Sequence, residues 1–80
     1  MDPAVVFGRV LRTFRKEKSM TQEQLALAAG VERNFVSLIE RGVNQPALRI
    51  IFKLATALET TPSMLLAVVE ERLENSAAGE

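Results

Sequence analysis

The chain contains no cysteine, histidine, tryptophan or tyrosine. Without cysteine there is no disulfide and no thiolate nucleophile, and without cysteine or histidine nearly every transition-metal site is excluded. An imidazole general base is excluded as well. Carboxylates are the only plausible catalysts left, and no glycine-rich phosphate loop accompanies them, so neither an enzyme nor a cofactor or metal is expected. Four Phe are the only aromatics, which makes any core mostly aliphatic. No apolar run nears the ~20 residues that span a bilayer, and the N-terminus lacks a basic segment followed by a long apolar one. Absence of cysteine fits a reducing compartment, and a cytoplasmic location is expected.

What is present is 80 residues, 48% hydrophobic and 25% charged, the balance of an ordinary globular domain. A chain this short buries only about 60–65% of its unfolded surface, so no large substrate cavity is expected, and dimerisation is a usual supplement to so small a core. The formal net charge is zero, but the charges are sorted along the chain. Residues 1–58 hold nine Lys and Arg against five Asp and Glu, whereas residues 59–80 hold Arg72 against five Glu. A basic body is joined to an acidic end, and distribution rather than sum governs contact with a polyanion.

Local signals predict five helices and no strands. Asp2-Pro3 is a capping residue followed by proline at the first helical position, and Phe7, Leu11 and Phe14 then form one apolar stripe, placing the first helix at about 3–18. Thr21 and Gln24 read as a capping box opening a second helix through Leu25, Ala26 and Ala29, which Gly30 ends. A third helix lies within Glu32–Arg41 with Val36 and Ile39 inward, and Gly42 stops it in the same way. Pro46 opens a fourth, whose inward stripe reads Leu48, Ile51, Leu54, Ala55 and Leu58. Thr61-Pro62 starts a fifth over about 62–74. The expected organisation is one domain, 1–74, with a flexible tail at 75–80.

The informative segment is Thr21–Gly42. Two short helices joined by a tight turn must cross steeply, and small residues such as Ala26 and Ala29 allow close approach. Arg33, Asn34, Ser37 and Leu38 are left on the outward side of the third helix, a polar and basic face of a size that fits a DNA major groove.

With these pieces goes a resemblance. Phe7-Gly8, Leu11-Arg12-Thr13-Phe14-Arg15, Met20 to Ala26, Ala29-Gly30-Val31, Ser37 to Gly42, Pro46 and Leu54 to Leu58 together resemble the phage-repressor and Cro type, or XRE-type, helix-turn-helix regulators. The likeness runs from about Phe7 to Leu66. It implies a five-helix, lambda-repressor-like fold whose third helix enters the major groove of double-stranded DNA, most members acting as two-fold dimers. By that resemblance Arg33, Asn34 and Leu38 face bases, with Ser37 between bases and backbone. Gln22 contacts a phosphate, or simply caps its helix, while Arg41, Asn44 and the amides around Val43 grip the sugar-phosphate backbone. The resemblance also makes Arg15 and Glu40 a structural ion pair. Glu32 departs from the usual small cap; its carboxylate repels phosphate but can accept a bond from cytosine N4. Ser19 and Glu59 stand where relatives commonly have Gly or Asn in a left-handed conformation.

Met64, Leu66, Val68, Val69 and Leu73 occupy more than one face of the fifth helix. Apolar surface in excess of what the core takes marks an interface, and a homodimer through these residues is the expected solution; full burial against the first and fourth helices is the alternative. The expected function is a dimeric repressor or autoregulator. The competing reading is a protein-binding module, such as an antitoxin whose last helix masks a toxin.

Overall fold

A computed structural model describes residues 1–78 of the chain. These form five helices, α1 (Pro3–Glu17), α2 (Gln22–Ala29), α3 (Arg33–Glu40), α4 (Leu48–Ala57) and α5 (Pro62–Ala78), with no strand among them. No single helix is long and apolar enough to cross a membrane.

The starts follow the capping chemistry. The Asp2 carboxylate accepts from the Ala4 amide at 2.9 Å with Pro3 at the first position. Thr21 and Gln24 satisfy each other's backbone amides, at 3.0 and 2.8 Å. Thr61 Oγ1 accepts from the Met64 amide at 3.1 Å. By contrast Glu32 and Ala47, which precede α3 and α4, make no side-chain cap.

The ends share one device. Ser19, Gly30, Gly42 and Glu59 each have positive φ, between 56° and 76°. The amide after each turns back onto a carbonyl five residues earlier: Met20 to Arg15, Val31 to Ala26, Val43 to Leu38 and Thr60 to Ala55, at 2.9–3.1 Å. This is the Schellman closure, which satisfies helix-end carbonyls and reverses the chain within two residues. Two of the four left-handed positions are not glycine and therefore carry strain.

Packing is organised around α1, which contacts both α3 and α5, while α2 packs on α3 and α4, and α4 on α5. Val10, Leu11, Leu25, Val36, Ile39, Leu54 and Leu65 bring all five helices into one core and are wholly buried. Truncating one of these leucines to alanine would cost about 2–5 kcal/mol.

Three expectations need correction. Leu48 is 68% exposed rather than inward, because α4 begins at Leu48 itself and Pro46 stays in the preceding loop, buried. Val69 is only 5% exposed and belongs to the core, so it is not free to face a partner. The fifth helix also runs past residue 74 to Ala78, since nothing between Glu74 and Ala78 breaks it; Gly79 and Glu80 of the expected tail lie outside the described residues.

Candidate nucleic-acid interface

The candidate face is built by contrast between the two sides of α3. Val36 and Ile39 are buried against α1 and α2, and Phe35 packs partly on the same core. With 3.6 residues per turn, that anchoring turns Arg33, Asn34 and Arg41 into solvent, where all three are exposed, with Ser37 and Leu38 half-buried beside them. None of the side chains of Arg33, Asn34, Ser37 and Arg41 makes a hydrogen bond or ion pair within the described residues. Glu32, at the entry of α3, is exposed and likewise uncommitted.

The scaffold behind this face is charged. Arg15 of α1 meets Glu40 of α3 through two hydrogen bonds, Nε to Oε2 at 2.7 Å and Nη2 to Oε1 at 3.0 Å. Both side chains are buried. The remaining guanidinium nitrogen, Nη1, donates to the Met20 carbonyl at 2.7 Å, so the pair also fixes the turn into α2. The hydrogen bonds to Glu40 push the Arg15 pKa up from its ordinary value, burial opposes them, and the carboxylate's charge adds to the rise. A forked guanidinium with a partner on each nitrogen is the geometry in which a buried ion pair is tolerated.

Gln22, at the first position of α2, is half-buried. Its Nε2 donates to Glu40 Oε1 at 3.1 Å, so the residue read as a phosphate contact is joined to the ion pair. Capping of α2 is done by Thr21 and Gln24 instead. The link between Gln22 and Glu40 crosses 18 positions of chain and left no local signal in the sequence.

The turn after α3 corrects one expectation. The amides of Val43 and Asn44 both donate to the Leu38 carbonyl, at 2.9 and 3.2 Å, and that of Gly42 donates to Ile39. The amides around Val43 are thus committed to closing the helix and are not presented to a phosphate; Val43 offers only an exposed isopropyl group. A glycine at this position was itself the missed signal, because a Schellman closure consumes the glycine's own amide and the one that follows it. Exposed Arg41 and half-buried Asn44 keep their side chains at this edge.

Gly8 was missed as a structural residue. A Cβ there would overlap the Ile39 carbonyl oxygen and lie 2.9 Å from that of Glu40, so it is this glycine that lets α1 approach α3 closely enough for Arg15 to reach Glu40.

Away from α3, Leu48, Met64 and Leu66 are exposed, while Val68 and Leu73 are half-buried against the core. Leu66 borders a shallow depression lined also by Pro3, Phe7, Pro46 and Ile51. No group of His, Cys, Asp or Glu among the described residues is placed to hold a metal ion.

A sequence model of the helix-turn-helix family matches residues 11–65, from the middle of α1 into α5. The chain is 33% identical over 76 residues to the HTH-type transcriptional regulator SlrR of Bacillus subtilis, covering 94% of this chain and 50% of SlrR; it spans half the length of that relative. It is 40% identical over 63 residues to the control protein C.BamHI of Bacillus amyloliquefaciens, covering 78% of each. Among solved structures, the restriction-modification controller protein C.AhdI from Aeromonas hydrophila superimposes with a TM-score of 0.76 at 44% identity, over 78% of this chain and 94% of that one.

Proposed function

The chain belongs to the helix-turn-helix family of transcriptional regulators, of the phage-repressor and Cro type and without enzymatic activity, and we propose that it is a sequence-specific reader of double-stranded DNA acting as a two-fold dimeric repressor or autoregulator. The observation that carries this reading is the outward face of α3, where Arg33, Asn34, Ser37 and Arg41 have no partner side chain among the described residues although the helix beneath them is fully anchored.

Each residue has a chemical role in the reading. Arg33 forks onto guanine O6 and N7, and Asn34 onto adenine N6 and N7, pairings worth about 1–3 kcal/mol of discrimination each. Leu38 meets a thymine methyl group. Ser37 bonds base or backbone, and Glu32 accepts from cytosine N4. Arg41, the Asn44 side chain and Gln22 hold the phosphates, the last helped by the dipole at the start of α2. The dimer uses the exposed Leu48, Met64 and Leu66, with Val68 and Leu73 at its edge, and sets two recognition helices about 34 Å apart on a near-palindromic operator.

Similarity to a protein named control protein C.BamHI and to one named restriction-modification controller protein C.AhdI supports the controller type of autoregulator over the antitoxin reading. Neighbouring methyltransferase and endonuclease genes are then expected, and a neighbouring toxin gene would favour the antitoxin.

Selection of bound sites from random DNA tests the reading as a whole. The expected product is paired half-sites about one helical turn apart, and Arg33→Ala relaxes one position in each half by roughly tenfold. If wild type and Arg33→Ala bind all sequences equally weakly at moderate salt, specific readout is wrong.

A further inference from the structure

We infer that Glu40 is a positioning residue for DNA binding: it holds the Gln22 carboxamide in the one orientation that presents an N–H to a phosphate, and Arg15 removes the repulsion this carboxylate would otherwise exert. The inference rests on the reading of Gln22 as a phosphate contact and assigns Arg15 and Glu40 a part in binding beyond joining α1 to α3.

The hydrogen-bond inventory carries it. A carboxylate only accepts, so whatever end of Gln22 faces Glu40 must be the donor end. Oε1 of Glu40 receives Gln22 Nε2 at 3.1 Å and Arg15 Nη2 at 3.0 Å, and Oε2 receives Arg15 Nε at 2.7 Å. Flipping the Gln22 amide would set its oxygen against the carboxylate. One N–H is therefore bound inward and the second is directed elsewhere, at the first position of α2 where unpaired helix amides already favour an anion.

A lone carboxylate so near a phosphate would oppose binding. Here its charge is matched by a guanidinium that grips it with two bonds and is itself buried. Arg15 thus acts through Glu40, and Glu40 through Gln22, without either touching the nucleic acid.

Phosphate contacts carry no sequence information, so a fluorescein-labelled mixed-sequence DNA duplex at low salt is the probe, read by anisotropy. Gln22→Ala and Glu40→Gln are each expected to weaken binding about three- to tenfold, the scale of one lost solvent-accessible hydrogen bond, and the double variant to bind no more weakly than Gln22→Ala alone. Independent, multiplying losses would overturn the inference, because a purely structural Glu40 acts whether or not Gln22 is there. Unchanged binding by Gln22→Ala also overturns it while leaving the DNA-binding reading intact; failure of the wild type to bind any duplex removes that reading itself. A second measurement needs only the wild type. In its NMR spectrum the Gln22 side-chain amide is expected to be shifted away from that of exposed Gln45 and to show a contact to the Arg15 guanidinium. Coincidence with Gln45 overturns the inference even if Glu40→Gln does not fold.

Discussion

Gly8 on α1 lies directly against the main-chain carbonyl of Ile39 on α3, with no space for a Cβ between them. Helix propensity alone favours alanine over glycine in a helix interior by about 1 kcal/mol. The contact is with backbone, which cannot swing aside, and overpacking of this kind costs about 1–3 kcal/mol or more. Gly8→Ala is therefore expected to lower the denaturation midpoint, and the Arg15 to Glu40 contact should loosen with it. A stabilised Gly8→Ala protein in chemical denaturation would show that the crossing is wider than described.

The four helix closures separate strain from crowding. Ser19 holds φ of 56°, a conformation that costs an ordinary residue about 1 kcal/mol, so Ser19→Gly is expected to raise stability by roughly 0.5–1 kcal/mol. Gly30 has nothing within 4 Å of an added Cβ, whereas one on Gly42 would lie 2.9 Å from Val5 Cγ2. Thermal unfolding should accordingly rank Gly42→Ala as more damaging than Gly30→Ala.

Removing one buried charge differs from removing both. Glu40→Ala leaves the Arg15 guanidinium without its partner and is expected to cost about 3–5 kcal/mol. Replacing the pair together, Arg15→Met with Glu40→Leu, removes both desolvation penalties and should recover most of that loss. Equal destabilisation by the single and double variants, measured in urea, would mean that packing rather than charge dominates at this crossing.

The surface pair Lys18 and Glu59, 2.7 Å apart, joins the residue before the left-handed Ser19 to the left-handed Glu59 itself. The hydrogen bond from Lys18, followed by its charge, holds the Glu59 carboxyl below its ordinary pKa. A carboxylate depressed in the folded state adds stability above its unfolded pKa, and loses it as pH falls through the lowered value. Both groups are solvent-exposed, so the gain is small and screened by salt. In an NMR pH titration the Glu59 midpoint should lie below the usual glutamate range and return to it in Lys18→Ala.

How much of this could be read from the residues depended on distance along the chain. The starts at Asp2, Thr21 and Thr61 and the stops at Gly30 and Gly42 are written within four or five positions, and they were legible. The inward residues of α1, α2 and α3 were legible too, but the inward stripe of α5 was not. On α5 Met64, Leu65, Leu66, Val68 and Val69 crowd several faces, and only packing against α1 and α4 selects Leu65 and Val69 for the core. Leu48 was misplaced because Pro46 looked like a helix opener, yet α4 starts two residues later. Within the candidate site, Arg15 and Glu40 were paired through the family resemblance alone. Their tie to Gln22 joins three helices and is invisible to any local pattern.

The closures after α1, α2 and α4 leave only three or four residues between one helix and the next, each reversal fixed by backbone hydrogen bonds rather than by a long loop. The face of α3 is consequently pre-organised: docking has little backbone entropy to remove, and the heat-capacity change of association should report surface burial and trapped water without a folding contribution. In the proposed dimer, a target that does not match the spacing of the two recognition helices would require the DNA rather than the protein to bend, so that the stiffness of base steps never touched by a side chain would become part of what such a dimer distinguishes.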